Sequence, residues 1–101
     1  MSLRKQQSLF VKAVGYLISY AHSLGYELTF GDTYAGKFLH RHGSFHDKGL
    51  AIDLNLFKNG VYLDKTSDHA PLGEYWKLLG GSWGGDWGDG NHYSWGESKN
   101  E

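Results

Sequence analysis

The segment from Leu50 to Phe57 constrains the fold of this chain most, because its apolar and polar side chains alternate with the period of a β-strand. Asn59-Gly60 follows it, and such a dipeptide between two apolar runs is the strongest short signal for a β-hairpin. The pattern therefore predicts a strand, a tight turn and a returning strand over Val61 to Leu63. The apolar side chains that share one face of the first strand are Ile52, Leu54 and Leu56.

The rest of the chain adds helices and further short strands to this hairpin. Apolar side chains recur at spacings of three and four near the start, which predicts an amphipathic helix over residues 4–24 that Gly25 ends. The order of helix, strands, helix and strands predicts the α+β class, a small antiparallel sheet with helices packed against it. The other predicted elements are a strand at 27–30, a loop at 31–49, a helix at 71–79 and strands at 83–87 and 92–95.

Length and composition bound the class of protein. The 101 residues fit one domain, 1–101, in which 96–101 are expected to form a flexible tail. Apolar residues make up 40% and charged residues 21%, which is a globular composition. The net charge of -1 argues against a nucleic-acid binder, because such a protein of this size is usually basic. No run approaches the roughly 20 apolar residues of a membrane span, and no signal peptide is recognisable, so we expect a soluble chain made in the cytoplasm.

The chain contains no cysteine, so any metal must be held by histidine and carboxylate side chains. Asp53 is the first candidate, because aspartate is a poor strand former and burying an unpaired charge is costly. Its small or polar neighbours on the same face, Ala51 and Asn55, suit the floor of a cavity. His46 lies seven positions earlier, and Gly49 would permit a turn that folds it over the strand. The alternative is an exposed sheet face on which Asp53 meets water.

Asp89 and His92 form a second candidate group, three positions apart among glycines and aromatic residues. With His46 and Asp53, His92 would complete two imidazoles and one carboxylate, a set that suits catalytic zinc and leaves a fourth position for water. A carboxylate that is not a ligand, here Asp89, could then carry a proton from that water to a leaving amine. The alternative is a glycine-rich turn with an incidental histidine.

Two motifs contain these candidates, and they are Ser44-x-His46-x-x-Gly49-x-Ala51-x-Asp53 and Asp89-x-x-His92. Together they resemble the D-alanyl-D-alanine carboxypeptidase family of zinc peptidases. This family includes phage endolysins that cut the L-alanyl-D-glutamate bond of peptidoglycan, and the sequence around the motifs is similar to small phage members. The similarity is good over residues 44–95 and looser over the first helix.

The resemblance implies zinc on His46, Asp53 and His92, with Asp89 as general base and acid. It places Ser44 near the metal, where the hydroxyl would contact substrate or a neighbour of the metal. It also implies a fold like that of hedgehog and the D-Ala-D-Ala peptidases, with the zinc site on the face of a central antiparallel sheet.

One departure from the family concerns substrate binding. Many members carry a Tyr-Arg pair upstream of the histidine motif, and that arginine is thought to bind a substrate oxygen. Here Tyr34 is followed by Ala35. Our hypothesis is that Arg41 supplies the missing charge, with Lys37 or Lys48 as alternatives. Tyr34 stays a candidate for contact with substrate.

Two further groups of residues surround the motifs. Tyr93 is a candidate for an aromatic cleft wall that contacts substrate, and the alternative is that it packs in the core. His40 and His42 lie close to His46 in the sequence, and we expect them in the loop or at the rim of the cleft, not on the metal.

We therefore expect a zinc peptidase that cuts the stem peptide of peptidoglycan, with a phage endolysin as the preferred role. It would be a monomer that binds neither nucleic acid nor membrane stably. It would be made in the host cytoplasm and act in the periplasm or cell wall once the membrane is permeabilised. The alternatives are a D-alanyl-D-alanine carboxypeptidase or dipeptidase, and a zinc-containing wall-binding domain without turnover, as hedgehog is in the wider superfamily.

Overall fold

The computed structural model describes residues 1–31 and 44–97, and it confirms the predicted α+β class. Two helices pack against a five-stranded antiparallel sheet, and two short 3-10 helices, Thr66–His69 and Gly84–Trp87, connect its elements. The helices are α1 (Leu3–Ser23) and α2 (Ala70–Leu78), and the strands are β1 (Glu27–Phe30), β2 (Ala51–Lys58), β3 (Val61–Leu63), β4 (Ser82–Trp83) and β5 (His92–Ser94).

Helix α1 begins and ends close to its predicted limits. The Ser2 hydroxyl caps its start by accepting a hydrogen bond from the Lys5 N–H at 3.2 Å. Gly25 follows its end with a φ of 88°, a left-handed conformation that is common after a helix. Its buried residues are Phe10, Ala13, Leu17 and Ala21. Among the described residues, no helix is both long and apolar enough to cross a membrane.

Strand β2 is the centre of the sheet, since it pairs with β1 along one edge and with β3 and β5 along the other. Strand β4 extends the sheet beyond β5. Asn59 and Gly60 have φ values of 53° and 77°, as a two-residue hairpin turn requires, so the predicted hairpin is confirmed. The buried Leu54 and Leu56 face the helices. Asp53 therefore points to the opposite face of the sheet.

Trp76 of α2 lies at the centre of the core. Its ring is fully buried and meets the edge of Phe10 from α1 at a centroid distance of 5.9 Å. Its Nε1–H donates to the Ser94 carbonyl of β5 at 2.9 Å and to the Ser82 carbonyl of β4 at 3.1 Å. One buried indole thus holds α2 against both β4 and β5, and β5 is the strand that carries His92.

The predicted strand over 83–87 is wrong beyond its start, because the chain leaves the sheet after Trp83 and forms a 3-10 helix. The Trp83 ring packs directly against the backbone of this helix, and a Cβ on Gly85 would lie 2.1 Å from it. The Trp83 Nε1–H donates to the Gly90 carbonyl at 2.8 Å. Gly85 therefore permits close packing around the indole, whereas Gly84 permits close approach of the Asp89 carbonyl and His92, and neither glycine extends a strand.

Helix α2 also packs closely on Trp83, and this contact predicts opposite effects for two glycine substitutions. A Cβ on Gly73 would lie 2.1 Å from the Trp83 ring, whereas a Cβ on Gly15 in α1 would meet nothing within 4 Å. We expect Gly73→Ala to lower the free energy of unfolding by about 1–3 kcal/mol through overpacking. Gly15→Ala should raise it by up to about 1 kcal/mol through helix propensity. Urea denaturation measures both, and a Gly73→Ala protein as stable as the parent would contradict the packing.

Candidate metal centre

Asp53 and His92 face each other across strands β2 and β5. The Leu54 N–H donates to the Asn91 carbonyl at 2.9 Å. Hydrogen-bonded and non-hydrogen-bonded pairs alternate along an antiparallel ladder, so Asp53 and His92 form a non-hydrogen-bonded pair, in which side chains are closest. The register accordingly places His92 Nδ1 3.2 Å from Asp53 Oδ1.

Gly31 is the neighbour of Asp53 on the side of β1. Its N–H donates to the Asp53 carbonyl at 2.8 Å. A Cβ at Gly31 would lie 3.1 Å from the Asp53 Cβ, so any side chain there would crowd the carboxylate. Asp53 is thus flanked by a histidine on one strand and by a residue without a side chain next to the other.

His46 lies on a single helical turn that precedes β2. The Ser44 hydroxyl begins the turn by accepting a hydrogen bond from the Asp47 N–H at 3.2 Å. The turn ends at Gly49, whose φ is 70° and whose N–H donates to the His46 carbonyl at 3.0 Å. Gly49 therefore reverses the chain as expected, and the turn carries the His46 ring over the start of β2.

Helix α1 anchors this turn to the rest of the molecule. The Gln7 Nε2–H donates to the Lys48 carbonyl at 2.7 Å. A Cβ on Gly49 would lie 3.1 Å from the same Gln7 nitrogen, so the helix and the turn are in close contact. The position of His46 thus depends on α1 as well as on the local turn.

His46, Asp53 and His92 converge on one point. His46 Nε2 lies 3.3 Å from the same Asp53 Oδ1 that His92 Nδ1 approaches, and the two rings are 5.2 Å apart between centroids. One ligand atom from each residue lies within 4.8 Å of the others, and no other such group is found in residues 1–31 and 44–97. Both histidines are buried, whereas 17% of the Asp53 side chain is exposed.

The donor set of this cluster fits a divalent metal ion. Two imidazole nitrogens and one carboxylate oxygen are the borderline ligands that zinc prefers, and bonds of about 2.0–2.1 Å put neighbouring tetrahedral ligands roughly 3.3 Å apart. The separations of 3.2 and 3.3 Å from Asp53 Oδ1 match that value. Three protein ligands, in contrast to four, leave one coordination position for a small molecule.

The two carboxylates around His92 favour its protonated form when no metal is bound. Burial lowers the pKa of His92, but hydrogen bonds to Asp53 and Glu97, together with the charges of both carboxylates, raise the pKa above its ordinary value. Where the ring is protonated, metal binding at Nδ1 displaces the Nδ1 proton. Binding at this site is therefore coupled to proton release.

Asp89 lies beside the cluster, after the second 3-10 helix. Its N–H donates to the Gly84 carbonyl at 2.8 Å, and its carbonyl accepts from the His92 N–H at 3.1 Å. The side chain is exposed but interacts electrostatically with both histidines, Asp53 and Glu97. Partial desolvation raises the pKa of the Asp89 carboxyl; the charge of His92 opposes this shift, and the charges of Asp53 and Glu97 add to it. The net pKa lies above the ordinary value, which suits a group that accepts and returns a proton.

Of the remaining candidate residues, the structure describes Tyr93 and Ser44. Tyr93 is fully buried, and its hydroxyl forms a hydrogen bond of 2.8 Å with His69 Nδ1. Successive side chains of a strand point to opposite faces, so Tyr93 faces the core because His92 faces the cluster. Packing in the core is the alternative that the sequence left open for Tyr93. Ser44 caps the turn, and Tyr34 and Arg41 lie outside the described residues.

Glu97 is not among the predicted site residues, although its Oε1 lies 2.6 Å from His92 Nε2. Gly96, with a φ of 87°, precedes it and lets the chain reverse after β5. A glycine before an acid near a candidate histidine was the one available signal. The Trp87 ring lies 6.3 Å from that of His92.

The geometry predicts that His46 is required for zinc binding, and exposed His22 of α1 offers a matched control. We expect His46→Ala to lose stoichiometric zinc after dialysis and His22→Ala to retain it. Zinc at 100 times its dissociation constant should stabilise the parent protein by about 2.7 kcal/mol, and the chelated protein should lose this gain. Denaturation with zinc and with chelator tests this, and equal zinc content in both variants would refute the site.

Comparison with known proteins agrees with this geometry. The model of the D-alanyl-D-alanine carboxypeptidase family matches residues 40–95, which is more than half of the chain and contains His46, Asp53, Asp89 and His92. No curated protein matches the chain. The family match confirms the resemblance seen in the sequence. The chain belongs to the D-alanyl-D-alanine carboxypeptidase family of peptidases.

Proposed function

We propose that this protein is a zinc-dependent peptidase that hydrolyses a bond in the stem peptide of peptidoglycan, and that it acts as a phage endolysin on the L-alanyl-D-glutamate bond. The observation that carries the proposal is the convergence of His46, Asp53 and His92 beside Asp89, within the segment that matches the peptidase family. The finer assignment to the endolysin type rests on the resemblance to small phage members.

The chemistry of the proposal divides between the metal and the protein. Bound zinc supplies a Lewis acid and a water of lowered pKa. Asp89 takes a proton from the attacking water and returns it to the leaving amine. This role suits the carboxyl because its pKa is raised toward neutral pH. The buried rings of His46 and His92 hold the ligand nitrogens in place.

The proposed partner is the peptidoglycan stem peptide, with no nucleic acid, no stable membrane insertion and a monomeric state. The proposed place of action is the periplasm or cell wall, which the enzyme reaches from the host cytoplasm after the membrane is permeabilised. The net charge of -1 supports the exclusion of nucleic acid.

Asp89 gives the sharpest test of catalysis, with Asp86 as its control. Asp86 is an exposed carboxylate three positions away that pairs with Lys77 at 3.1 Å and does not belong to the cluster. We expect Asp89→Asn to lower turnover on purified sacculi by about 10²–10⁴-fold without loss of zinc, because it removes the proton carrier. Asp86→Asn should retain turnover. Full activity of Asp89→Asn would exclude this role, and the absence of any zinc-dependent product from the parent protein would indicate a wall-binding domain.

The matched family description favours one second candidate, a D-alanyl-D-alanine carboxypeptidase. The two activities differ in their products. Cleavage after L-alanine frees a peptide that begins with D-glutamate, whereas a carboxypeptidase releases D-alanine. Mass spectrometry of digested muropeptides therefore separates them, and release of D-alanine alone would overturn the endolysin assignment.

Arg41 is the proposed source of positive charge for a substrate oxygen, because Tyr34 is followed by Ala35 where many members of the family carry arginine. We expect Arg41→Ala to lower turnover by about 10²–10³-fold, the usual effect of removing one such donor. Zinc content should be unchanged. Arg4→Ala removes the same charge from helix α1 and should have no effect. Unchanged turnover in Arg41→Ala would assign the role to another cation.

A further inference from the structure

Glu97 contacts the edge of the His92 ring that points away from the metal cluster. Its Oε1 lies 2.6 Å from His92 Nε2, while His92 Nδ1 points to Asp53 Oδ1 at 3.2 Å. The two ring nitrogens of an imidazole point away from each other, so Glu97 lies behind the ring when seen from the cluster. The described ligand group accordingly contains His46, Asp53 and His92 but not Glu97.

The contact is both short and shielded. Only 11% of the Glu97 side chain and 9% of the His92 side chain are exposed, so water competes weakly for this hydrogen bond. Gly96 brings the carboxylate there, since its φ of 87° is a left-handed value that reverses the chain directly after β5. Nothing lies within 4 Å of a Cβ built on Gly96, so the backbone conformation and not packing requires glycine here.

We propose that Glu97 is a positioning residue, which accepts the Nε2–H of His92 and thereby fixes the tautomer that presents Nδ1 to the metal. A neutral imidazole carries one N–H, and a carboxylate acceptor at Nε2 keeps that proton on Nε2. The lone pair of Nδ1 is then free to bind zinc. Such carboxylate partners orient ligand histidines and make them more basic. The inference rests on the proposed zinc site but not on the substrate or the reaction.

The test compares zinc affinity among three variants of the full chain. Glu97→Ala removes the acceptor and should weaken zinc binding by about 10–100-fold, measured by competition with a chromogenic chelator. Glu97→Gln keeps an oxygen acceptor without charge and should recover part of the affinity. Glu74→Ala removes an exposed carboxylate of α2 that pairs with Lys77, so it controls for net charge and should bind zinc as the parent does.

Histidine ring NMR supplies a readout that a merely structural role of Glu97 would not move. In the zinc-loaded parent, long-range proton–nitrogen correlations should show His92 protonated at Nε2 and bound to metal through Nδ1. In zinc-loaded Glu97→Ala, the Nε2 proton should exchange faster with water, and in the chelated variant the Nδ1–H tautomer should appear. Urea denaturation of the chelated proteins confirms that each variant is folded before affinities are compared.

Several outcomes would overturn the proposal, and they differ from failure of the zinc site itself. Unchanged zinc affinity and an unchanged His92 tautomer in Glu97→Ala would exclude the positioning role. Zinc loss as complete as in His46→Ala would identify Glu97 as a ligand instead. If His46→Ala still binds zinc as the parent does, the site is wrong, and the positioning role of Glu97 is wrong with it.

Discussion

The pairing of Asp53 with His92 across β2 and β5 is the interaction on which the candidate centre depends. It joins residues that are far apart in the sequence through one rung of a backbone ladder, so their separation is set by strand register. A slip of β2 by one residue would turn Asp53 toward the core and expose Leu54 in its place, and the same slip of β5 would turn His92 inward and expose Tyr93. Burial of the apolar side chains on one face of the sheet therefore fixes the strand register, and this register sets the distance between Asp53 and His92 on the other face.

The core supports this register from the other side of the sheet. Trp76 binds the carbonyls of Ser82 and Ser94 and so holds β4 and β5 beside α2. Tyr93 and His69 add a buried hydrogen bond between β5 and the 3-10 helix Thr66–His69. Burial lowers the pKa of His69, so this ring stays neutral and pairs with a hydroxyl group, in contrast to His92 with its two carboxylates. Two histidines thus receive opposite environments on the two faces of one small sheet.

The sequence predicts much of this arrangement because the informative signals are local. Alternation identified β2, Asn59-Gly60 identified the hairpin, and Gly49 indicated the turn that carries His46. Motif spacing indicated the candidate ligand residues, and this spacing reflects that turn and the strand register.

Other features could not be predicted because they depend on tertiary contacts. Trp83 and its two following glycines have a composition compatible with a strand, and only packing against α2 and the Gly90 carbonyl shows that the strand ends. The orientation of Tyr93 could not be predicted, because a residue next to a candidate ligand can face either the cluster or the core. Strand alternation resolves this once β5 is known to begin at His92. Glu97 contacts His92 only because Gly96 reverses the chain.

The spacing of the candidate ligand residues along the sequence also affects the unfolded chain. His46 and His92 are separated by almost half of the sequence, and an ion held between them closes a loop that spans three strands and a helix. Loops of this length lose considerable entropy when they are closed in an unfolded chain. A protein without sulfur bridges would thereby gain a reversible cross-link, made or broken by the supply of a trace element and not by the redox state of its surroundings.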